Sequence, residues 1–279
     1  GYVEYGASPL EPAELYKAKS GEEMINEQTY TFIDRGDREV TLRPEMTPTV
    51  ARMVAAKRRE LGTPIRWYSI PNLFRYEQPQ KGRLREHYQL NADIFGLSGV
   101  EADVEVIKIA YDILISFGAK ESDFIIKIND RRNKLKGLGE KNLSPDQSRE
   151  IIRLLDKKDK ISESEFKSKT EKILGEVLEL NFEESEYSKL VLDKLKGLGV
   201  GNVSFSPTLA RGFDYYTGTI FEIFDTDPAN KRSLFGGGRY DNLTELFDNE
   251  SIPAVGFGMG DVTLQDFLIS RNLIPKYKS

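Results

Sequence analysis

The sequence predicts an α+β protein: an antiparallel sheet flanked by helices, interrupted by a helical insertion. Three observations predict it. Strand-like stretches fill 65–96 and return after residue 201, whereas 131–201 is rich in Lys and Glu and carries helical periodicity. The strands do not alternate regularly with helices, as a parallel βαβ array would require. The glycine-rich stretches have neither P-loop nor Rossmann spacing. Three segments follow: 1–130 and 202–279 as two parts of one catalytic-type domain, and 131–201 as the insertion.

Each element has a local reason. TPTVARMVAAKRREL, residues 47–61, sets Val50, Met53, Val54 and Leu61 at helical spacing behind a Thr-Pro start. IRWYSI leads to NLFRYE, a turn at QPQKG, and the long run LREHYQLNADIFG ending at Gly96. That run alternates. Leu84, Tyr88, Leu90, Ala92 and Ile94 predict a core face; Arg85, His87, Gln89, Asn91 and Asp93 predict a polar one. Residues 101–117 form an amphipathic helix through Val104, Ile107, Tyr111, Leu114 and Ile115, with acids in the first turn and Gly118 as its stop. FIIKIND, 124–130, is a strand. Within 131–201, helical patterns lie at 147–156, 163–179 and 184–197. NVSFSP and TGTIFEIF are strands, FGGGRY a glycine-rich turn, AVGFGMG a strand and VTLQDFLISR a closing helix.

Composition narrows the chemistry. The 279 residues contain no Cys and one His, so disulfides, a Cys nucleophile and a His/Cys zinc site are excluded. Lys and Arg number 40 against 45 Asp and Glu, giving a net charge of −5. Any nucleic-acid contact must therefore be local, through KRR at 57–59 or RRNKLK at 131–136. No run is long and apolar enough for a membrane helix, and GYVEYGASPL lacks the pattern of a secretory leader, so a cytoplasmic location is expected.

Three clusters could carry chemistry. Arg75, Arg83 and Arg85 gather around the basic turn QPQKGR, where planar guanidinium groups suit phosphate oxygens. Gln89 and Asp93 further along the same strand would suit a cationic or N–H-bearing group. TLRPEMTPTV places Glu45 and Thr47 at a helix start, as a cap or as receivers of a substrate ammonium. LARGFDYYTGTIFE joins Arg211 to Tyr215 and Tyr216; by pattern alone it is either a site or a turn with two core tyrosines. FGGGRYDNL and AVGFGMG supply glycines against which a ligand could lie.

Together these segments resemble the histidyl-tRNA synthetases, class II aminoacyl-tRNA synthetases. TLRPEMT is similar to that family's TLRPE-x-T element, and FRYEQPQKGRLREHYQLNADIFG to its motif 2. LARGFDYYTGTIFE and GGGRYDNL resemble its histidine signatures. AVGFGMG stands in the place of motif 3, and GYVEYGASPLEPAELY resembles the end of motif 1. The matches run in family order and cover the chain outside 131–201.

The resemblance implies a class II synthetase-type antiparallel sheet, ATP as substrate with Mg²⁺, L-histidine and tRNA(His) as partners, and a homodimer. The mapped roles follow the motifs. Arg75 would hold the α-phosphate, with Glu77, Arg83 and His87 around the rest of the ATP. Glu45, Thr47 and Gln89 would receive the α-amino group. Asp93 and Tyr216 would bind the imidazole, walled by Tyr215 and Tyr240. Arg211 would be the catalytic arginine, assisted by Arg75. No protein-only metal cluster is expected; Mg²⁺ would arrive with ATP. Thr263 stands where many class II enzymes carry a γ-phosphate arginine, and His87 where an adenine-stacking ring is expected. An anticodon-binding domain is expected beyond residue 279. The alternative is a non-catalytic paralogue of the same fold, a histidine- or tRNA-sensing subunit of the ATP phosphoribosyltransferase regulatory type.

Overall fold

The computed structural model describes all residues except 18–27, 77, 79–82, 133–142, 145, 148–149, 152–153, 155–160, 176–183, 210–214, 231, 249 and 275–279. Twelve strands are described: β1 (Val3–Glu4), β2 (Leu10–Pro12), β3 (Tyr30–Ile33), β4 (Glu39–Leu42), β5 (Ile65–Ser69), β6 (Asn72–Phe74), β7 (Glu86–Phe95), β8 (Phe124–Asp130), β9 (Val203–Phe205), β10 (Thr219–Asp225), β11 (Ser233–Arg239) and β12 (Ala254–Gly260). The longer helices are α1 (Thr47–Lys57), α2 (Val100–Ser116), α3 (Glu163–Leu174), α4 (Glu186–Gly197) and α5 (Asp261–Ser270).

The main sheet runs β1–β5–β7–β12–β11–β10–β8–β9, with β6 paired to the outer part of β7; β2, β4 and β3 form a separate three-stranded sheet. The body is antiparallel as expected. Its two margins are not: β1 lies parallel to β5 and β9 parallel to β8. A parallel neighbour needs a long crossover, and the return from β8 to β9 is made through α4.

One face of the sheet carries the larger core. There α2 buries Val104, Ile107, Tyr111 and Leu114 against Ile126, Ile128, Phe221, Phe257 and the α5 residues Leu264 and Phe267. Ile115 is a correction: one residue on from Leu114, it is turned off that stripe and 36% exposed. The opposite face carries a second core in which α1 packs Val50, Ala51 and Val54 with Met46, Phe95, Tyr215, Tyr216 and Tyr240. α1 ends at Lys57, so Leu61 packs on this core from beyond the helix.

The 131–201 stretch divides between two cores. Phe166 of α3 meets Ile151 and Leu154 in a small core of its own. α3 opens with the Ser162 hydroxyl accepting from the Glu165 amide at 3.2 Å and closes at Gly175, whose φ of 76° suits glycine. α4 instead contributes Val191, Leu192 and Leu195 to the main core beside α2. Of the pattern at 147–156, several residues lie outside those described.

The glycine-rich FGGGRY, expected as a turn, instead forms the second half of β11 up to Arg239, with Tyr240 just beyond it. Its low intrinsic strand preference is overridden because β10 and β12 pair along both sides of it.

Candidate active site

The hairpin face expected to be apolar is so only in its inner half. Leu84 and Tyr88 are exposed, whereas Ala92 and Ile94 are buried. β7 thus runs from solvent into the core, and its polar residues run with it. His87 and Gln89 are half-buried, while Asn91 and Asp93 are buried. His87 to Asp93 covers roughly 20 Å at strand rise.

Glycines set the depth beside this strand. In register, Gly256 pairs with Asp93, Gly258 with Asn91 and Gly260 with Gln89; the next strand opposes Gly238 to Gly256 and Gly236 to Gly258. A Cβ on Gly256 would stand 2.0 Å from Asp93 Oδ1, and one on Gly258 would stand 2.7 Å from Gln89 Oε1. A Cβ on Gly238 would come within 2.9 Å of the Tyr216 ring. The bare backbone therefore lets three side chains of the site lie across the sheet. The alternate residues Val255, Phe257 and Met259 face the main core.

Over this floor lies a cavity of about 350 Å³. Its lining includes Glu45, Thr47, Arg75, Arg83, His87, Gln89, Tyr215, Tyr216 and Tyr240. Asp93 lies beneath it, receiving the Tyr240 hydroxyl at 2.5 Å. A matching pair stands across the pocket, where Tyr215 donates to Glu45 Oε2 at 2.9 Å. The three tyrosines pack together, with ring centroids 4.8 Å apart for Tyr215–Tyr216 and 5.8 Å for Tyr215–Tyr240. Tyr215 is thus both core residue and cavity wall.

The Glu45 turn is built by its neighbours. Arg43 is buried and bonds to the Ala7 and Asn72 carbonyls at 2.8 and 3.0 Å, while the Phe74 amide returns a bond to the Arg43 carbonyl. Arg75 Nε donates to the Pro44 carbonyl at 2.9 Å, tying the end of β6 to the same turn. Arg85 is not in the cavity lining; its guanidinium lies 4.4 Å over the Tyr76 ring.

Electrostatics separate the two ends. Burial pushes the Asp93 carboxyl up to about 7, and the Tyr240 hydrogen bond opposes this only in part. Burial first, and the neighbouring carboxylates second, raise Tyr215 and Tyr240 well above the ordinary phenol value, so both keep their protons to donate. At the other end Arg83 is exposed and Arg75 half-buried. Thr263 does line the cavity, but its hydroxyl donates to the Leu234 carbonyl at 2.6 Å.

Glu77 and Arg211 lie outside the described residues. The cavity also includes groups that sequence reasoning did not select: Asn91, Glu222 and Ser233. Asn91 was legible on the polar face of β7. Glu222 could have been found by parity, since Phe221 and Ile223 beside it are core residues and it shares a sheet row with Gly236, Gly258 and Asn91.

Comparison with known proteins adds identity to this geometry. A family profile for histidyl-tRNA synthetase matches residues 1–198 and 183–262. A histidine–tRNA ligase of Leptospira biflexa is 48% identical over 100% of this chain and 69% of its own length. That of Haloarcula marismortui is 41% identical over 95% of this chain, which spans 66% of that relative. A crystal structure of an ATP phosphoribosyltransferase regulatory subunit/histidyl-tRNA synthetase from Bacillus halodurans shares the fold, with a TM-score of 0.76 and 22% identity over 100% of this chain and 76% of its own. With the profile matching both sides of the cavity and relatives named as ligases aligned over nearly all of it, the chain belongs to the histidyl-tRNA synthetase family of ligases.

Proposed function

We propose that the cavity binds L-histidine at its buried end and ATP at its arginine end, joins them as histidyl-adenylate, and presents the product to the 3′ end of tRNA(His). The observation that carries this is the single polar track from Arg83 and Arg75 to Asp93 over the glycine floor. A track of that length suits two reactants placed end to end. The ligase names of relatives up to 48% identical favour this over the regulatory paralogue.

In this reading Glu45, Thr47 and Gln89 receive the ammonium, and Asp93 with Tyr216 receive the ring nitrogens. The imidazole N–H returns to Asp93 a donor that burial has removed. Tyr240 and Tyr215 each fix one buried carboxylate, so the acceptors are set before the substrate arrives. The histidine carboxylate attacks the α-phosphorus and pyrophosphate leaves. Arg75 and Arg211 stabilise the charge that develops, and Arg83 takes the outer phosphates in the place of the motif 3 arginine. His87 and Glu77 flank the adenine side.

Among the described residues no three His, Cys, Asp or Glu side chains converge on a common point. In this reading a Mg²⁺ carried by the phosphates would neutralise charge there when ATP is bound. In the KRR patch two of the three cations are already engaged. Lys57 pairs with Glu60, and Arg58 with Asp248 and Glu250. The 131–201 stretch, an insertion rich in lysine, is the proposed acceptor-stem contact. A homodimer is supported by the edge strand β3, where Phe32 and Ile33 are exposed. No helix among the described residues is long and apolar enough to cross a membrane; a cytoplasmic location is proposed.

Histidine-dependent ATP–pyrophosphate exchange tests the activation step. Exchange is expected with histidine and not with other amino acids. Histidine binding without exchange would overturn the ligase reading in favour of the regulatory one.

A further inference from the structure

Beneath the cavity, Arg239 organises a buried network that the proposed chemistry does not use. It is the last residue of β11 and immediately precedes Tyr240. Its Nε donates to Asp103 Oδ1 at 3.0 Å, Nη1 to the Leu97 carbonyl at 3.0 Å and to Asp241 Oδ1 at 3.1 Å, and Nη2 to the Gly99 carbonyl at 3.1 Å. Its side chain lies on the bare backbone of Gly218, where a Cβ would come within 3.1 Å of the Arg239 Cδ. The Thr217 amide donates to the Arg239 carbonyl at 2.8 Å, and the Asp241 amide to Thr217 Oγ1 at 3.0 Å. The segments carrying Tyr216 and Tyr240 are thereby locked to each other.

Asp103, at the start of α2, receives more than Arg239. The Thr219 hydroxyl donates to it at 3.3 Å, and so does the hydroxyl of Tyr187. Tyr187 belongs to the first turn of α4, near the end of the 131–201 stretch. The start of that stretch meets it: the Arg132 guanidinium sits 4.2 Å from the Tyr187 ring centroid and is bonded through two nitrogens to Asp130 at the end of β8. Departing strand and returning helix thus close on one tyrosine, whose hydroxyl reaches the acid that holds Arg239.

A buried ion pair is a poor source of net stability, because desolvation offsets the attraction. What it does supply is a defined geometry, provided every donor and acceptor is met. Arg239 meets four acceptors and Asp103 three donors. We propose that Arg239 is a positioning residue for the histidine pocket, acting through Tyr240 and Tyr216, and that Tyr187 makes its placement depend on the docking of the 131–201 stretch. This rests on the reading of the cavity as a histidine site.

The test uses Tyr187→Phe, which removes one hydroxyl and no packing, and Arg239→Lys, which keeps the charge and loses the fork. Histidine and ATP are each titrated in ATP–pyrophosphate exchange on the whole chain, with Tm and active-site titration fixing the folded fraction. Expected is a rise of about three- to tenfold in KM for histidine with Tyr187→Phe, larger for Arg239→Lys, with KM for ATP unchanged. A loss of rate that follows the folded fraction, with KM for histidine unmoved in both variants, overturns the proposal. So do equal rises in both KM values. Asp93→Asn is run beside them. If it raises KM for histidine while the other two do not, the positioning role falls alone; if it does not, the pocket reading falls and takes this proposal with it.

Discussion

The two ends of the cavity are built on different principles. At the end proposed for histidine both carboxylates are buried, each is held by a tyrosine hydroxyl, and glycines leave the space they need. At the end proposed for phosphate Arg83 is exposed, and Thr263 is already bonded to the backbone of β11. The first end has few ways to rearrange and should be intolerant of small changes. In the proposed site the second relies on the exposed Arg83, whose contribution is screened, beside the half-buried Arg75. Substitutions graded along the cavity test that contrast.

The largest effect is expected at Asp93. Asp93→Asn keeps shape but exchanges an acceptor for a donor opposite the imidazole. Histidine-dependent kcat/KM in exchange should fall on the order of 10³-fold, with KM for ATP little changed. A loss below about tenfold would refute the buried end as the specificity centre. The same variant carries a pH signature. Asp93 stays protonated in the ligand-free fold up to about 7, whereas in the unfolded chain it ionises near pH 4. Its folded value is raised, so its contribution to stability is fully present in acid and is lost as pH rises through 7. The cost at pH 8 is about 4 kcal/mol by linkage. Tm of the ligand-free chain, measured between pH 5.5 and 8, should therefore fall more steeply for wild type than for Asp93→Asn.

Gly256→Ala comes next. Its Cβ would meet Asp93 Oδ1 at 2.0 Å and the Ala92 carbonyl at 2.8 Å. The backbone oxygen cannot swing away, so the strand must shift. A stability loss of about 1–3 kcal/mol in urea titration is expected, together with weaker histidine binding by calorimetry. Unchanged binding would mean that the glycine floor does not set the pocket.

These residues also show how far the sequence was legible. Alternation along β7 placed Gln89, Asn91 and Asp93 on one face because that information is local, two residues per repeat. The strand at FGGGRY was not legible, since its run of glycines has no strand preference of its own; its conformation comes from pairing with β10 and β12, which were themselves readable as strands. Its glycines have their reason in Tyr216 and in the clearance between paired strands. Similarly, α4 was readable as a helix, but the core it joins is decided by α2 and β8, some 60–90 residues earlier. Arg239, inconspicuous within GGGRY, gains its partners only in three dimensions.

An effect smaller than that at Asp93 and comparable to that at Gly256 should follow from Tyr240→Phe. The ring packing on Phe95 and Tyr215 is kept, and only the donor to Asp93 is lost. With the imidazole bound and Asp93 ionised the bond is charge-assisted and contributes about 1.5–3 kcal/mol, so KM for histidine should rise at least about tenfold. If KM stayed within about twofold, Asp93 would be oriented by packing alone, and the pocket would be less tightly specified than its hydrogen bonds suggest.

The smallest effect is expected at the opposite end, with Thr263→Arg. This restores the cation found at that position in many class II enzymes and breaks the bond to Leu234. Were the γ-phosphate left without a partner, the new arginine would lower KM for ATP by a large factor, since one such contact is worth about 3–4 kcal/mol. Arg83 and phosphate-borne Mg²⁺ already fill that role in the proposed site, so a change within about threefold is expected, screened further by salt. A hundredfold gain would show instead that the exposed end is underbuilt, and the contrast would then lie between a finished pocket and an unfinished one, not between a rigid and a redundant one.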